Sequence, residues 1–156
     1  MDNIQDDHRA RLEDRDAYAL WIGCNVLEEE AHCDPLIDIS VAGTKWQKGL
    51  VEGLDQIGVN LQVLTDITYA QWPRGPLISG KHSPYALSTT PSDFVSYINI
   101  PRIKQKSKKK SYLAGLRKII REQGVPTVVL FYNYSQKVEA AFKYLRETLQ
   151  VPCIII

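Results

Sequence analysis

The stretch 40–65, SVAGTKWQKGLVEGLDQIGVNLQVLT, reads as a loop end, a helix and a strand in immediate succession. Ser40 suits an N-cap, because its hydroxyl can accept from an orphan N–H of the first helical turn. Trp46, Leu50, Val51, Leu54 and Ile57 recur close to i, i+4, i+8, which predicts an amphipathic helix with these residues facing inward. Gly49 and Gly53 share one side of it. Each costs about 1 kcal/mol in a helix interior, so the pair predicts close approach to another backbone. Gly58 stands where a left-handed C-cap belongs, with Val59 beyond it for the accompanying apolar contact. Residues 59–65 (VNLQVLT) then alternate as a strand.

The same grammar extends in both directions. Residues 17–26 (AYALWIGCNV) form an apolar run of strand length, followed at 27–39 by a polar connection with the acidic triplet Glu28-Glu29-Glu30. Residues 66–91 lack a period and contain four prolines, which predicts a long loop of the kind that often carries function. A third strand is expected at 93–100 (DFVSYINI). After the basic run 101–110, Ser111 is expected to open a second helix with Leu113, Leu116, Ile119 and Ile120 on one face. Gly124-Val125 repeats the Gly-Val ending. Residues 127–132 (TVVLFY) are continuously apolar, as in a strand covered on both faces. Ser135 is expected to cap a third helix burying Val138, Ala141, Phe142, Leu145 and Leu149, and 151–156 (VPCIII) reads as a buried strand. Strands alternating with helices give a parallel sheet with right-handed crossovers. The expected fold is one α/β, Rossmann-like, three-layer domain with a mainly parallel sheet over residues 17–156.

The totals narrow the function classes. The chain has 156 residues, 44% hydrophobic and 24% charged, with net charge +1. That balance gives no sign of a dedicated nucleic-acid binder. No apolar run approaches the roughly 20 residues of a membrane span, and the opening MDNIQDDHRARLEDRD is too polar for a secretory signal. Residues 1–16 are expected to form a mobile tail. Cys24, Cys33 and Cys153, odd in number and widely spaced, fit a reduced cytoplasmic chain better than a disulfide framework. Cys24, His32 and Cys33 match no standard zinc spacing, and a GxSxG elbow is missing. A domain seldom stops inside its core, so the terminal VPCIII suggests a chain cut from something longer.

Ligands of such sheets bind beyond the carboxyl ends of the strands. The residues expected there are Cys24, Asn25 and the helix mouth Gly43, Thr44 and Lys45, then Asp66, Thr68, Tyr69, Gln71, Trp72 and Arg74, then Arg102, and finally Tyr132, Asn133, Tyr134 and Ser135. Aromatic faces beside amides and hydroxyls suit a ligand rich in hydroxyl groups. The helix mouth suits an anion, although it carries neither GxGxxG nor GxxxxGK[ST]; the alternative is a plain helix start with Trp46 in the core. Trp72-Pro73-Arg74-Gly75-Pro76 forces a fixed path that displays Trp72 and Arg74, unless Trp72 is a buried anchor. The basic run from Arg102 to Lys118 is either a solvated face or a patch for anionic lipid headgroups.

Together, AGTKWQKGLVEGLDQIGVNLQVLT, YAQWPRGPL and VVLFYNYS resemble the N-terminal half of GT-B glycosyltransferases, and more narrowly the retaining, nucleotide-sugar-dependent glycosyltransferase family 4. The resemblance spans roughly residues 17–156. It implies an acceptor-binding domain whose partner, a C-terminal donor-binding domain or separate subunit, binds the nucleotide-sugar. No metal or other cofactor is implied. Carried over by position, Gly43 and Thr44 fall where the family's first loop approaches donor phosphates or acceptor, with one glycine where many members have two. Asn133 and Ser135 fall where many relatives have a histidine; Asn133 can only hydrogen-bond. Trp72 and Arg74, with Lys45 and Tyr69 nearby, would contact the acceptor, a glycan or a lipid-linked sugar. Lys104, Lys106, Lys108, Lys109 and Lys110 would lie on a face that can touch a membrane. The rival expectation is a stand-alone, non-catalytic module binding a sugar, nucleotide or lipid headgroup. A receiver-type regulatory domain ranks below both, because Asp66 and Asp93 do not supply its acidic pair.

Overall fold

A computed structural model describes residues 17–80 and 82–156; the tail expected at 1–16 lies outside them. Five parallel strands form one sheet: β1 (Ala19–Cys24), β2 (Leu61–Asp66), β3 (Ser92–Phe94), β4 (Val128–Phe131) and β5 (Cys153–Ile155), in the order β3-β2-β1-β4-β5. Three helices cover it: α1 (Val41–Gln56), α2 (Lys104–Gln123) and α3 (Glu139–Lys143), the last running on into a π-helical turn at Tyr144–Thr148. This is a Rossmann-like α/β domain. Its strand order is the dinucleotide-fold order, not the 2-1-3-4-5 order of flavodoxin-like receivers.

The period-two alternation of the strands sorts the core into two layers. Ala19, Trp21, Leu61 and Val63 pack on the α1 side with Val51. Leu20, Ile22, Leu64, Val129 and Phe131 pack on the opposite side against Tyr112, Leu116 and Ile119 of α2 and against Val138, Ala141 and Leu145. Each fully buried aliphatic side chain contributes roughly 1.5–3 kcal/mol, so both faces of the sheet must stay covered. β2 is buried at all six positions, unlike the half-exposed alternation expected for it. Gly115 lets α2 sit close, since a Cβ there would meet Leu64 Cδ1 at 3.0 Å.

Helix ends follow the sequence grammar. The Ser40 hydroxyl accepts from the Gly43 N–H, and Gly58 (φ 83°) and Gly124 (φ 93°) are left-handed stops. Helix faces follow it less well. The inner face of α1 is Thr44, Gln47 and Val51, while Trp46 and Ile57 are exposed. Polarity decides this rotation: Gln47 Nε2 donates to the Cys24 carbonyl at 2.8 Å, a group at the end of β1 that would otherwise lack a partner. Gly49 and Gly53 have no neighbour within 4 Å of a modest side chain, so the expected backbone contact is absent.

Three more expectations are corrected. α2 begins at Lys104, seven residues before Ser111, for a reason given below. The third strand stops at Phe94, because β3 pairs with β2 alone and the chain beyond it serves the long loop. Ser79 N–H donates to the Tyr97 carbonyl and Asn99 N–H to the Leu77 carbonyl, around an antiparallel bridge between Ile78 and Ile98. The Asn99 amide also donates to the carbonyls of Ala70 (2.7 Å) and Pro76 (3.0 Å). The WPRGP turn is therefore held by buried Asn99 and not by Trp72, which is 48% exposed. Last, β5 is an edge strand paired only with β4, and Ile154, Ile155 and Ile156 are exposed, where a buried strand was expected.

The open surroundings of Gly49 and Gly53 make a direct test. Gly49→Ala and Gly53→Ala should each stabilise the domain by about 1 kcal/mol, read as a higher urea midpoint at unchanged m-value. A loss of stability would mean that something packs on that face.

Candidate functional site

In the order β3-β2-β1-β4-β5 the chain reverses its direction of winding between β1 and β4, so a crevice opens beyond their carboxyl ends. Each of these strands is followed by an asparagine in the left-handed region, Asn25 (φ 53°) after β1 and Asn133 (φ 52°) after β4. Asparagine adopts that conformation more readily than most residues, and both chains turn off the sheet at once. The Asn25 side chain accepts from the Thr68 N–H (2.7 Å) and donates to the Asp38 carbonyl (3.3 Å), tying two loops to the end of β1.

On the α1 side the crevice is a groove of about 400 Å³ lined by Ala42, Gly43, Trp46, Tyr132, Asn133 and Ile156. The Trp46 and Tyr132 rings lie 6.0 Å apart and tilted by 31°, and Tyr132 stacks on buried Trp21 at 6.2 Å. Gly43 and Asn133 thus come together as the sequence suggested. Thr44 and Lys45 do not join them. Thr44 is buried against the sheet, and exposed Lys45 points to Glu29 at 3.9 Å. The Gly43 N–H is already used by Ser40, and the Thr44 N–H by the Ser40 carbonyl. Of the N–H groups at this mouth, that of Gly43 is therefore committed to the cap and that of Thr44 to the first helical bond.

On the α2 side lies a second cleft, of about 570 Å³, and it is strongly polar. Beneath it, bonded to the lining residues Lys108 and Lys137, lies Asp66, the last residue of β2. Counting by two from Gln62 and Leu64 aims Asp66 at α2. The carboxylate is fully buried and receives the Lys108 ammonium, the Tyr112 hydroxyl and the Lys137 ammonium, the last at 3.0 Å. Burial alone would raise the Asp66 pKa, but Lys137 and Lys108 outweigh it and hold the carboxyl well below the usual range. Burial and the neighbouring Asp66 charge push the Tyr112 hydroxyl well up, so it stays a proton donor. Lys137 is raised, because attraction to Asp66 and Cys24 overcomes its own burial. Lys104, one turn before Lys108, donates to the Tyr69 carbonyl at 3.0 Å, and burial lowers its pKa. Ser135 reaches this cleft too, its Oγ buried and without a hydrogen-bond partner; it does not cap a helix.

The sequence pointed to the strand ends but not to the lysines. Lys108 was placed in a surface basic run, yet it is 3% exposed. Of the five lysines expected to share a face, Lys104 and Lys108 turn inward, Lys109 pairs with Glu139 at 2.8 Å, and Lys106 and Lys110 are exposed. A signal for this existed. Extending the inner stripe of α2 backwards from Leu116 by fours reaches Tyr112, Lys108 and Lys104. Charged residues at those positions hid the helix start. Lys137 had no such signal. Tyr69, Trp72 and Arg74 line neither cleft, although Tyr69 supplies the carbonyl that holds Lys104.

Among the described residues no group of His, Cys, Asp or Glu is arranged to hold a metal ion, and the three cysteines are free. No helix among them is long and apolar enough to cross a membrane. The chain matches no protein-family model and no curated protein.

The buried cluster has a pH signature. Because the folded Asp66 pKa is depressed, its stabilisation is fully present above the unfolded carboxylate value near 4 and is lost as pH falls below it toward the folded value. Asp66→Asn should flatten that acid limb of the stability curve. It should also cost about 3 kcal/mol or more, because two buried lysines lose their counter-charge. Chemical denaturation from pH 7 to pH 3 measures both; an unchanged acid limb would show that Asp66 is not ionised in the folded state.

Proposed function

We propose that this domain binds the sugar acceptor of a glycosyltransferase and works with a donor-binding domain that holds the nucleotide-sugar. The carrying observation is the groove at the β1/β4 crevice, where the Trp46 and Tyr132 rings form one wall beside Gly43 and Asn133. Sugar rings present apolar C–H faces ringed by hydroxyls. Aromatic planes cover those faces, and amides and backbone groups fix their orientation. The Rossmann-like fold and the resemblance of three sequence segments to glycosyltransferase family 4 support the same reading. Trp46, at 54% exposure, is hard to explain as core and easy to explain as a contact surface.

In this reading the domain supplies position, and the partner supplies the charge stabilisation of the departing diphosphate. Asn133 orients a hydroxyl and transfers no proton. The WPRGP turn, fixed by Asn99, would extend the acceptor surface through Trp72.

The test is binding of a panel of neutral oligosaccharides, followed by saturation-transfer NMR and Trp fluorescence. At least one should bind. Trp46→Ala should weaken that binding about tenfold, or 1.4 kcal/mol, and Trp72→Ala should weaken it with an unchanged thermal midpoint. Absence of binding by every oligosaccharide in the panel would overturn the reading. Loss of the cooperative thermal transition in Trp72→Ala would show that residue to be structural.

A further inference from the structure

We propose that the cleft between α2 and the loop after β4 is a phosphate subsite, in which Lys104 and Lys137 hold the phosphate group of a ligand and Ser135 donates to it. Four observations carry the inference. First, a structural ion pair needs one lysine for one carboxylate, yet Asp66 faces both Lys108 and Lys137. Second, Lys104 adds a third ammonium that, among the described residues, has no carboxylate within ion-pair distance; it donates to a backbone carbonyl. Among the described residues Asp38 is the one acid that lines the cleft and Asp66 lies beneath it, so three lysines against these two aspartates leave a surplus of one positive charge.

Third, the first turn of α2 contains Lys104 and Lys106, no acidic residue and no side-chain cap. Basic groups at a helix N-terminus oppose the macrodipole and are unfavourable by themselves. An anion in the cleft would sit beside that uncapped end and reverse the sign of the interaction. Fourth, the Ser135 Oγ lies in the cleft, buried, without a hydrogen-bond partner. An unpaired buried hydroxyl is costly, and a bound acceptor atom relieves it. One anion offsets all four features.

The donor set suits phosphate. Lysine ammoniums act as point charges and bind phosphate without the planar fork that arginine offers to carboxylate and phosphate alike. Among the described residues no arginine lines this cleft. The site is separate from the aromatic groove and does not depend on the glycosyl reading. If both hold, the ligand carries its phosphate on the α2 side of the sheet edge and its sugar on the α1 side.

The experiment is calorimetric titration and thermal melting of the full chain with inorganic phosphate, at ionic strength held constant with chloride. The melting temperature should rise with phosphate and not with chloride. Lys104→Gln should weaken phosphate binding about tenfold or more, as expected for loss of a charged hydrogen bond, while Lys106→Gln, on the exposed face, should change it less than about twofold. Should Lys104→Gln fail to fold by circular dichroism, Ser135→Ala, which removes no protein–protein hydrogen bond, should show the weakening instead. Two further probes identify the source: a hexose monophosphate, and phosphatidylcholine vesicles with and without phosphatidic acid. Tighter binding of the hexose monophosphate supports a small phosphorylated ligand, and binding only of phosphatidic-acid vesicles, sensitive to Lys104→Gln, supports a lipid headgroup. The proposal is overturned if none of the phosphate probes binds, or if Lys106→Gln weakens binding as much as Lys104→Gln. Phosphate binding without oligosaccharide binding would leave this subsite standing and the acceptor reading overturned.

Discussion

A carboxylate cut off from water joins three parts of this domain. Asp66 ends β2, Lys108 and Tyr112 come from α2, and Lys137 comes from the segment between β4 and α3. Removing an ion from water costs several kcal/mol after relaxation, and the cost is met only when charge and hydrogen bonds are both supplied. Here both Asp66 oxygens are supplied: Oδ2 receives Lys108 and the Thr68 hydroxyl, and Oδ1 receives Tyr112 and Lys137. The arrangement fixes where α2 lies along β2, because the lysine must reach the strand end while Leu116 and Ile119 cover its middle. The apolar contacts hold the layers together; the ion cluster sets their register.

The same cluster explains which parts of the fold could be read from the sequence. Helix stops at Gly58 and Gly124, the N-cap at Ser40 and the alternation of strands with helices are local rules, enforced by backbone geometry regardless of what packs nearby. They were legible. The start of α2 was not, because its inner stripe changes from apolar to cationic where the core gives way to the carboxyl edge. A lysine at an inward position looks like a surface residue until its buried partner is known, and that partner lies 42 residues away. The outward turn of Trp46 has a related cause. Size and apolarity suggested the core, but the end of β1 required the amide of Gln47 inside, and the helix could not present both.

The candidate site was legible as a place and not as chemistry. The rule that ligands gather beyond the strand ends directed attention to Gly43, Asn133 and Ser135, and each lines a cleft there. It said nothing about how they divide. The sheet edge separates them, Gly43 and Asn133 entering the aromatic groove and Ser135 the cationic cleft. That division follows from the pleat: successive residues at the strand ends point to opposite faces, so one crevice presents two chemistries. Thr65 turns to the α1 side, where its hydroxyl accepts from the Val26 N–H, and Asp66 turns to the α2 side.

The two clefts also differ in what holds them open. The aromatic groove is walled by rings that rest on one another, Trp46 on Tyr132 on Trp21, so its shape is set by packing and survives without charge. The cationic cleft is held by like charges around one anion. Lys104, Lys108 and Lys137 repel one another, and they are held by Asp66, by the Tyr69 carbonyl and Thr68 hydroxyl, and by the Tyr97 ring, which lies 4.4 Å from the Lys108 ammonium. A second anion would remove that repulsion, so ligand binding there should tighten α2 against the loop after β4. Such coupling needs no hinge in the sheet. It needs only that the ligand's charge interacts more strongly with the closed arrangement of the lysines than with a splayed one, which is the condition under which a ligand can shift a conformational equilibrium at all.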